Sequence, residues 1–195
     1  MADDDTAAKV LHPTGEQLRA LAHPLRTRLL GALRFHGPAT ATALAARLGT
    51  NSGATSYHLR QLAAAGLVED DRSRSSGRDR WWRAAHESTA WISTDFDDDP
   101  DARAAEDWLV RHHARRAAEW MADWLDARQD WSAEWRAAAE HSDYHLDLTP
   151  DGLRELMEDL HAVVRHHRAR AAADTPNTER VTLLLQSFPS PERTA

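Results

Sequence analysis

The sequence predicts a mainly α-helical protein with a small β component, in which a helix-turn-helix and a β hairpin precede a long helix and a small α+β region. Apolar residues recur at helical spacing from Thr14 onward. Two short helical segments, 41–48 and 51–65, are separated by a glycine-containing turn. The period then changes to that of two short strands between residues 67 and 84.

The first two helices are bounded by residues typical of helix ends. Residues 1–13 are polar, show no periodicity and are expected to be disordered. A helix is predicted from Thr14, and a second one with Pro24 in its first turn, where a missing N–H is tolerated. Gly37 and Pro38 are expected to end the second helix.

The next two helices form the helix-turn-helix. Thr40 is a suitable cap for the first of them, and Gly49 fits the left-handed position just after its end. Asn51 is a good N-cap for the second, which spans Asn51–Ala65 and stops at Gly66. Strand-like segments 67–71 and 80–84 follow, joined by the turn cluster 75–77. A hairpin in this position is a wing, and residues 14–86 are therefore predicted to be one winged helix-turn-helix domain.

Charge is unevenly distributed along the chain, whose net charge is -7. Residues 1–86 carry 12 Lys+Arg against 8 Asp+Glu, a balance of +4, whereas residues 87–195 carry 12 against 23, a balance of -11. Because salt screens charges beyond about 8–10 Å, the local charge matters more than the total for a polyanionic partner. The first segment therefore suits DNA, and the acidic segment is expected to face away from it.

Two features of the sequence indicate where in the cell the protein works. Asp3, Asp4 and Asp5 do not fit a secretory signal peptide, which has a basic start and an apolar core. No stretch approaches 18 consecutive apolar residues. We therefore expect a cytoplasmic protein that makes no use of a membrane.

The helix 51–65 has the character of a recognition helix, because small polar side chains fill its N-terminal half, the part that approaches base edges in such motifs. The wing adds arginines that suit phosphates or the minor groove. The residues expected to contact DNA are Ser52, Thr55, Ser56, Tyr57, His58, Arg60, Gln61, Arg72, Arg74, Arg78 and Arg80.

Four sequence blocks resemble the ArsR-type (arsenic-repressor-like) winged-helix regulators. They are LAHPLR at 21–26, LAARLG at 44–49, SYHLRQL at 56–62 and AGLV at 65–68. The resemblance covers about residues 14–86. It implies a transcriptional regulator that is a homodimeric repressor, binds a palindromic operator, and is commonly released by an effector.

The chain departs from this family in two ways. It has no cysteine, so the thiolate sensing of arsenite or soft metals used by family members is excluded. Many members carry an acidic residue where Ala43 stands, so the capping box of that helix is incomplete here. Residues 87–195 exceed the minimal domain and resemble, more weakly, accessory regions of actinobacterial members.

The C-terminal region is predicted to be α+β. After a connector at 87–100, a long helix should run from about 101 to 129, continue or restart to about 140, and carry the dimer contact. Residues 142–148 alternate in polarity as a half-buried strand does, and 181–188 are also strand-like. A further helix should open at Thr149 and Pro150. We expect 101–195 to serve dimerisation, with effector binding as an open role.

Four tryptophans share a face if the long helix is continuous. Trp120, Trp124, Trp131 and Trp135 would then fall within roughly 60° of one another. They fit a seam against the partner subunit or the C-terminal segment, because tryptophan buries a large area and retains a donor. The alternative is an aromatic pocket for a planar or cationic small-molecule effector.

Metal and catalytic sites find little support in the sequence. Of the 12 histidines, the best candidate zinc group is His141, Asp143, His145 and Asp147, and a solvent-facing polar edge explains it more simply. Neither a nucleophile elbow nor a phosphate-binding glycine-rich loop with lysine is present. The sequence thus predicts no cofactor, no metal and no enzyme. The competing interpretation is a protein-interaction or small-molecule-binding module whose winged helix does not read DNA.

Overall fold

The computed structural model of the chain describes residues 10–74, 79–170 and 177–190. The chain divides into two compact units, one ending at Arg115 and one beginning at Arg116. The elements in order are β1 Val10–Leu11, α1 Gly15–Leu21, α2 Pro24–His36, β2 Ala39–Thr40, α3 Ala41–Leu48, α4 Ser52–Ala64, β3 Val68–Asp70, β4 Trp81–Ala84, β5 Ser88–Thr89, α5 Pro100–Ala127, α6 Ala133–Ala138 and α7 Pro150–Arg170.

The first two helices begin close to the predicted positions. The Thr14 hydroxyl accepts a hydrogen bond from the Gln17 backbone N–H at 3.3 Å, and the Gln17 side chain accepts one from the Thr14 N–H at 3.0 Å, which together form a capping box. Pro24 occupies the first turn of α2. Gly37 follows α2 with a φ of 81°, a left-handed conformation that glycine adopts without strain.

The turn between α3 and α4 is set by Gly49, whose φ is 63° and whose N–H faces the last carbonyls of α3. The Thr40 hydroxyl accepts from the Ala43 N–H at 3.2 Å, and the Asn51 side chain accepts from the Ala54 N–H at 2.7 Å. Both helices therefore begin where the capping residues predict. The Gln17 side-chain amide donates to the Ala65 carbonyl at 2.9 Å and ties the end of α4 to α1.

The wing has three strands rather than the predicted two. The strands β3 and β4 pair antiparallel, with Val68 opposite Ala84, and β2 pairs antiparallel with the other edge of β4, with Ala39 opposite Trp82. A two-residue strand is too short to show alternation in a sequence, so β2 had no detectable signal. It fixes the wing to the start of α3.

Residues 10 and 11 differ from the expected disorder of residues 1–13. They form β1, which pairs in parallel with β5, and Leu11 is buried. The Ala90 N–H also donates to the Leu11 carbonyl at 2.9 Å. Burial of the apolar Leu11 side chain stabilises this pairing. The polar character of residues 1–13 as a whole gave no indication of it.

The core of the first unit extends into α5. Ala102, Ala105 and Leu109 are buried in the same cluster as the leucines of α1 to α4, as is Phe96 from the connector. The Asp99 carboxylate accepts from the Ala102 N–H at 3.0 Å and caps α5. The segment expected to be a connector and the first turns of the long helix are thus part of the DNA-binding unit, because their apolar side chains complete its core.

The second unit contains only helices among its described residues, 116–170 and 177–190. The strands predicted at 142–148 and 181–188 are wrong: both segments are irregular and exposed. Alternating polarity is compatible with a strand but does not supply the partner strand that its backbone hydrogen bonds need. The start of α7 at Pro150 is as predicted. The overall class, mainly helical with small sheets, is confirmed.

Among the described residues, no helix is both long enough and apolar enough to cross a bilayer.

Candidate nucleic-acid interface

One face of α4 is exposed along its length. Thr55, Leu59 and Leu62 face the core, so the side chains on the opposite face point to solvent. Tyr57 is 53% exposed, and Arg60 and Gln61 are also exposed, with Ser56 half-buried between them and the body of the domain. Ser52 is exposed at the first turn. This face presents donors, acceptors and one aromatic ring on a rigid element.

Two residues expected to contact DNA lie elsewhere. Thr55 is fully buried, and its hydroxyl donates to the Asn51 carbonyl at 3.0 Å. The expectation for Thr55 is therefore corrected: the helix turns its side chain into the core one turn before Leu59. A small polar residue near an N-terminus gave no indication of which way it would face.

His58 packs within its own domain. Its ring lies 4.4 Å from that of His23, the residue that caps α2, and 5.1 Å from that of Tyr57. Its Nδ1 is buried without a hydrogen-bond partner. Partial burial, then the neighbouring His23 and Arg26, lowers the pKa of His58 below its ordinary value. In this structure His58 positions α4 against α2 and does not lie on the exposed face.

The wing arginines are engaged by their own hairpin. The Arg80 guanidinium lies 3.1 Å from an Asp70 carboxylate oxygen and 4.1 Å from the centre of the Trp82 ring. Arg74 lies 3.7 Å from Asp71. Exposed ion pairs of this kind contribute only about 0–1 kcal/mol, so a phosphate oxygen can replace the carboxylate. Arg72 is exposed, and Arg78 lies outside the described residues.

A cleft of about 250 Å³ brings the predicted residues of α4 and of the wing together. Ser56 and Arg60 line it from α4, and Arg80 lines it from the wing. The other lining residues are Thr40, Ala41, Thr42, Asp79 and Trp82. The recognition helix and wing therefore share one concave surface with the start of α3.

Sequence reasoning missed Thr42 and Asp79 as members of this surface. Thr42 is exposed in the first turn of α3, and it reaches the cleft because β2 holds that turn against β4. The sequence indicated only that Thr40 caps α3, which does not by itself place Thr42 beside the wing. Asp79 places a carboxylate beside two arginines, which keeps part of the cleft from being uniformly basic.

In the second unit three of the four tryptophans cluster. The ring centres of Trp124 and Trp131 are 6.1 Å apart, and those of Trp131 and Trp135 are 6.2 Å apart. Trp120 instead faces the Arg116 guanidinium at 5.1 Å. Of the two alternatives, a continuing or a restarting helix, the structure shows the second, since α5 ends at Ala127 and α6 covers Ala133–Ala138; the tryptophans therefore do not form one continuous stripe.

The Trp cluster arises from the chain reversal that follows α5. A 3-10 turn covers 128–130, and Ser132 caps α6 by accepting from the Trp135 N–H at 3.3 Å. The Trp135 indole N–H donates to the Asn177 side chain at 3.2 Å, and the Asn177 amide donates to Glu134 at 3.2 Å. All three clustered rings are half-buried.

The candidate zinc group does not assemble. His145 lies 3.7 Å from Asp143, and both side chains are almost fully exposed. Across residues 10–74, 79–170 and 177–190, no three or more His, Cys, Asp or Glu side chains are grouped so as to hold a metal ion.

Comparison with known proteins agrees with this geometry. Residues 21–71 match a family model described as a helix-turn-helix domain. No curated protein matches the chain. A solved structure described as a possible transcriptional regulator for arsenical resistance is 31% identical, over 53% of this chain and 95% of that one, with a TM-score of 0.32.

Two structures of one Mycobacterium bovis fragment, residues 1–100 of a possible transcriptional regulatory protein, are each 28% identical. The crystal structure aligns over 51% of this chain and 88% of its own, with a TM-score of 0.34. The solution structure, described as a homodimeric winged helix-turn-helix DNA-binding domain of a possible ArsR-family regulator, aligns over 53% and 80%, with a TM-score of 0.35.

The helix-turn-helix match covers α2 to β3 and includes the cleft residues of α3 and α4, whereas Asp79, Arg80 and Trp82 of the wing lie beyond it. The first unit is thus a winged helix-turn-helix DNA-binding domain of the transcriptional-regulator type. The chain is similar to regulators described as ArsR-family or as serving arsenical resistance, at 28–31% identity.

Proposed function

We propose that the protein is a homodimeric repressor that reads a palindromic operator with α4 and holds the DNA backbone with the wing. The observation that carries the proposal is the shared cleft, in which Ser56 and Arg60 of α4 face Arg80 of the wing. Base edges are read by side chains on a recognition helix, and phosphates by arginines beside it.

The roles divide by position. Ser52, Ser56, Tyr57 and Gln61 are placed on or beside the exposed face of α4, where they suit base contacts. Arg60 and Arg80, with Arg72 and Arg74 along the hairpin, suit phosphates. Thr55 and His58 are not part of this proposal, because their side chains face their own domain.

A dimer follows from the geometry of reading DNA. Each chain carries one recognition helix, and two copies related by a two-fold axis would place their helices about 34–36 Å apart, in successive major grooves. The solution structure described above is a homodimer, which supports the same assembly here. We assign the dimer contact to residues 101–195. The α5 side chains that are already buried in the first unit are not available for it.

The test is a genome-wide DNA pull-down with the full chain, followed by binding assays on the enriched site. We expect a two-fold symmetric motif and two chains per DNA, measured by size exclusion with light scattering. Absence of an enriched motif would contradict sequence reading, and a monomer both free and on DNA would contradict the dimer.

Variants then separate the roles. Arg60→Ala or Arg80→Ala should lower the slope of log affinity against log salt by about 0.9 per lost phosphate contact. Ser56→Ala or Tyr57→Ala should instead change which sequences are enriched. Arg83→Ala is the matched control: Arg83 pairs with Glu69 at 2.9 Å on the opposite face of the hairpin from Trp82, and its loss should leave the slope unchanged.

We also propose a second candidate function for the second unit, the binding of a planar or cationic effector at the Trp124, Trp131 and Trp135 cluster. Three half-buried rings about 6 Å apart next to the Glu134 carboxylate favour it. Screening small aromatic cations by tryptophan fluorescence, with Trp131→Ala as control, tests it. An effector should quench the wild type and release the operator, and binding unaffected by the substitution would place it elsewhere.

A further inference from the structure

The second unit lacks a core of its own. Every described residue from 116 to 170 and from 177 to 190 is exposed or half-buried. Helices of ordinary length are marginal in water without tertiary packing of an apolar face. Some of its apolar surface therefore needs to be covered from outside the chain for the unit to be stable.

The clearest uncovered face lies on α7. At about 100° per residue, Leu160, Val163, Val164 and His167 fall within a stripe about 100° wide. Leu160 is 36% exposed and Val163 is 55% exposed, while Val164 is half-buried. Glu158 and Ala162 lie on the opposite side of the helix.

The charge along α7 indicates what covers this face. The first half of the helix carries four acidic residues, Asp151, Glu155, Glu158 and Asp159, against one basic residue, Arg154, and the second half carries the basic residues Arg165, Arg168 and Arg170 with no acidic residue. A helix with this polarity is complementary to an antiparallel copy of itself, since opposite charges and opposite helix dipoles then lie side by side.

Resting on the dimer of the proposed function, we propose that α7 pairs antiparallel with α7 of a second copy of this chain, about a two-fold axis near Val163 and Val164. In that register Val163 packs beside Val163 of the partner subunit, and Val164 packs beside Val164 of the partner subunit. Asp159 lies at the flank of the stripe on the same side as Arg170, so Asp159 meets Arg170 of the partner subunit. The register with the axis at Leu160 is disfavoured, because it brings the two Asp159 carboxylates together.

A charge swap in the full-length protein tests the pairing. Asp159→Arg and Arg170→Asp should each raise the dimer dissociation constant by about five-fold, because the pair occurs twice per dimer and attraction becomes repulsion. The double variant should return to near the wild-type value in sedimentation velocity. Glu158→Arg is the matched control and should leave the constant unchanged, since it reverses a neighbouring charge on the opposite face. A double variant as weak as the single ones would overturn the pairing.

Cysteine cross-linking gives an independent test, because the chain has no cysteine. Under mild oxidation Val163→Cys should form a disulfide-linked dimer and Ala162→Cys should not, and circular dichroism reports whether each variant is folded. If Val163→Cys stays monomeric on a non-reducing gel while two wild-type chains bind the operator, the α7 pairing is wrong and the proposed function stands. If it cross-links while no DNA motif is enriched, the pairing stands and the proposed function fails.

Discussion

At the scale of the residue, the direction of a side chain decides its role. Ser56 and Thr55 are adjacent, small and polar, yet Ser56 lines the cleft and Thr55 is fully buried. A rotation of about 100° per residue turns neighbours to different environments. The sequence pattern identified the helix that we propose reads DNA, and only the packing of α4 on the core separated its exposed residues from its buried ones.

Thr55→Val should weaken the fold without affecting DNA contacts. The hydroxyl donates to the Asn51 carbonyl, and its removal should lower the free energy of unfolding by about 1 kcal/mol. Urea denaturation measures this loss, and the salt slope of DNA binding should not change. A reduced slope with unchanged stability would return Thr55 to the DNA-contacting set.

His58 should make stability depend on pH. Its folded pKa lies below the ordinary 6.5, because of partial burial and the nearby His23 and Arg26, with Tyr57 also against its ring. The unfolded chain therefore binds a proton first, so this contribution is present above about pH 6.5 and is lost as the pH falls below it. Urea denaturation between pH 5 and 8 should show a smaller pH dependence for His58→Gln. An identical pH dependence in both proteins would contradict this account.

At the scale of the element, helix ends follow from local chemistry and helix partners do not. Thr14, Thr40 and Asn51 cap helices where their side chains can accept from nearby N–H groups, and Gly49 takes the left-handed conformation after α3. The long helix at 100–127 was also visible from its periodicity. Its attachment to the first unit was not, because that attachment depends on a core whose members include Leu11, far along the chain from Leu109.

Leu109 and Val110 provide a matched pair on α5. Leu109 is 1% exposed within the core of the first unit, whereas Val110 is 47% exposed. Leu109→Ala should lower the free energy of unfolding of that unit by about 2–5 kcal/mol, and Val110→Ala by less than about 0.5 kcal/mol. Chemical denaturation followed by circular dichroism distinguishes them. Equal effects would mean that α5 does not belong to this core.

At the scale of the whole molecule, a basic N-terminal segment that contains the helix-turn-helix is joined to an acidic remainder of the chain. The N-terminal 86 residues balance at +4 and the remainder at -11. Under the proposed function, repulsion between the acidic residues and DNA would favour binding through the basic N-terminal segment. None of the described residues of the second unit, 116–170 and 177–190, is fully buried, which connects the stability of that unit to assembly.

The stability of the second unit should therefore depend on protein concentration. If a second copy covers its apolar faces, mass action raises the midpoint of thermal unfolding as concentration increases. A dilution series followed by circular dichroism should show this shift, and Asp159→Arg should lower the midpoint at a given concentration. A midpoint independent of concentration over 100-fold dilution would contradict assembly-dependent folding.

The amino-acid sequence by itself determined the helix-turn-helix, its caps and the two-stranded hairpin, because caps, turns and this strand pair join residues close along the chain, with Val68 and Ala84 the most distant pair of the hairpin. The absence of cysteine likewise excluded thiolate sensing without any structure. Only the tertiary structure decided that Thr55 and His58 face inward, that β2 completes the wing, that α5 begins inside the first core, and that no strands form at 142–148 or 181–188. Each of these depends on a distant partner, since a side chain buries itself, and a strand forms, only against a surface that another part of the chain supplies.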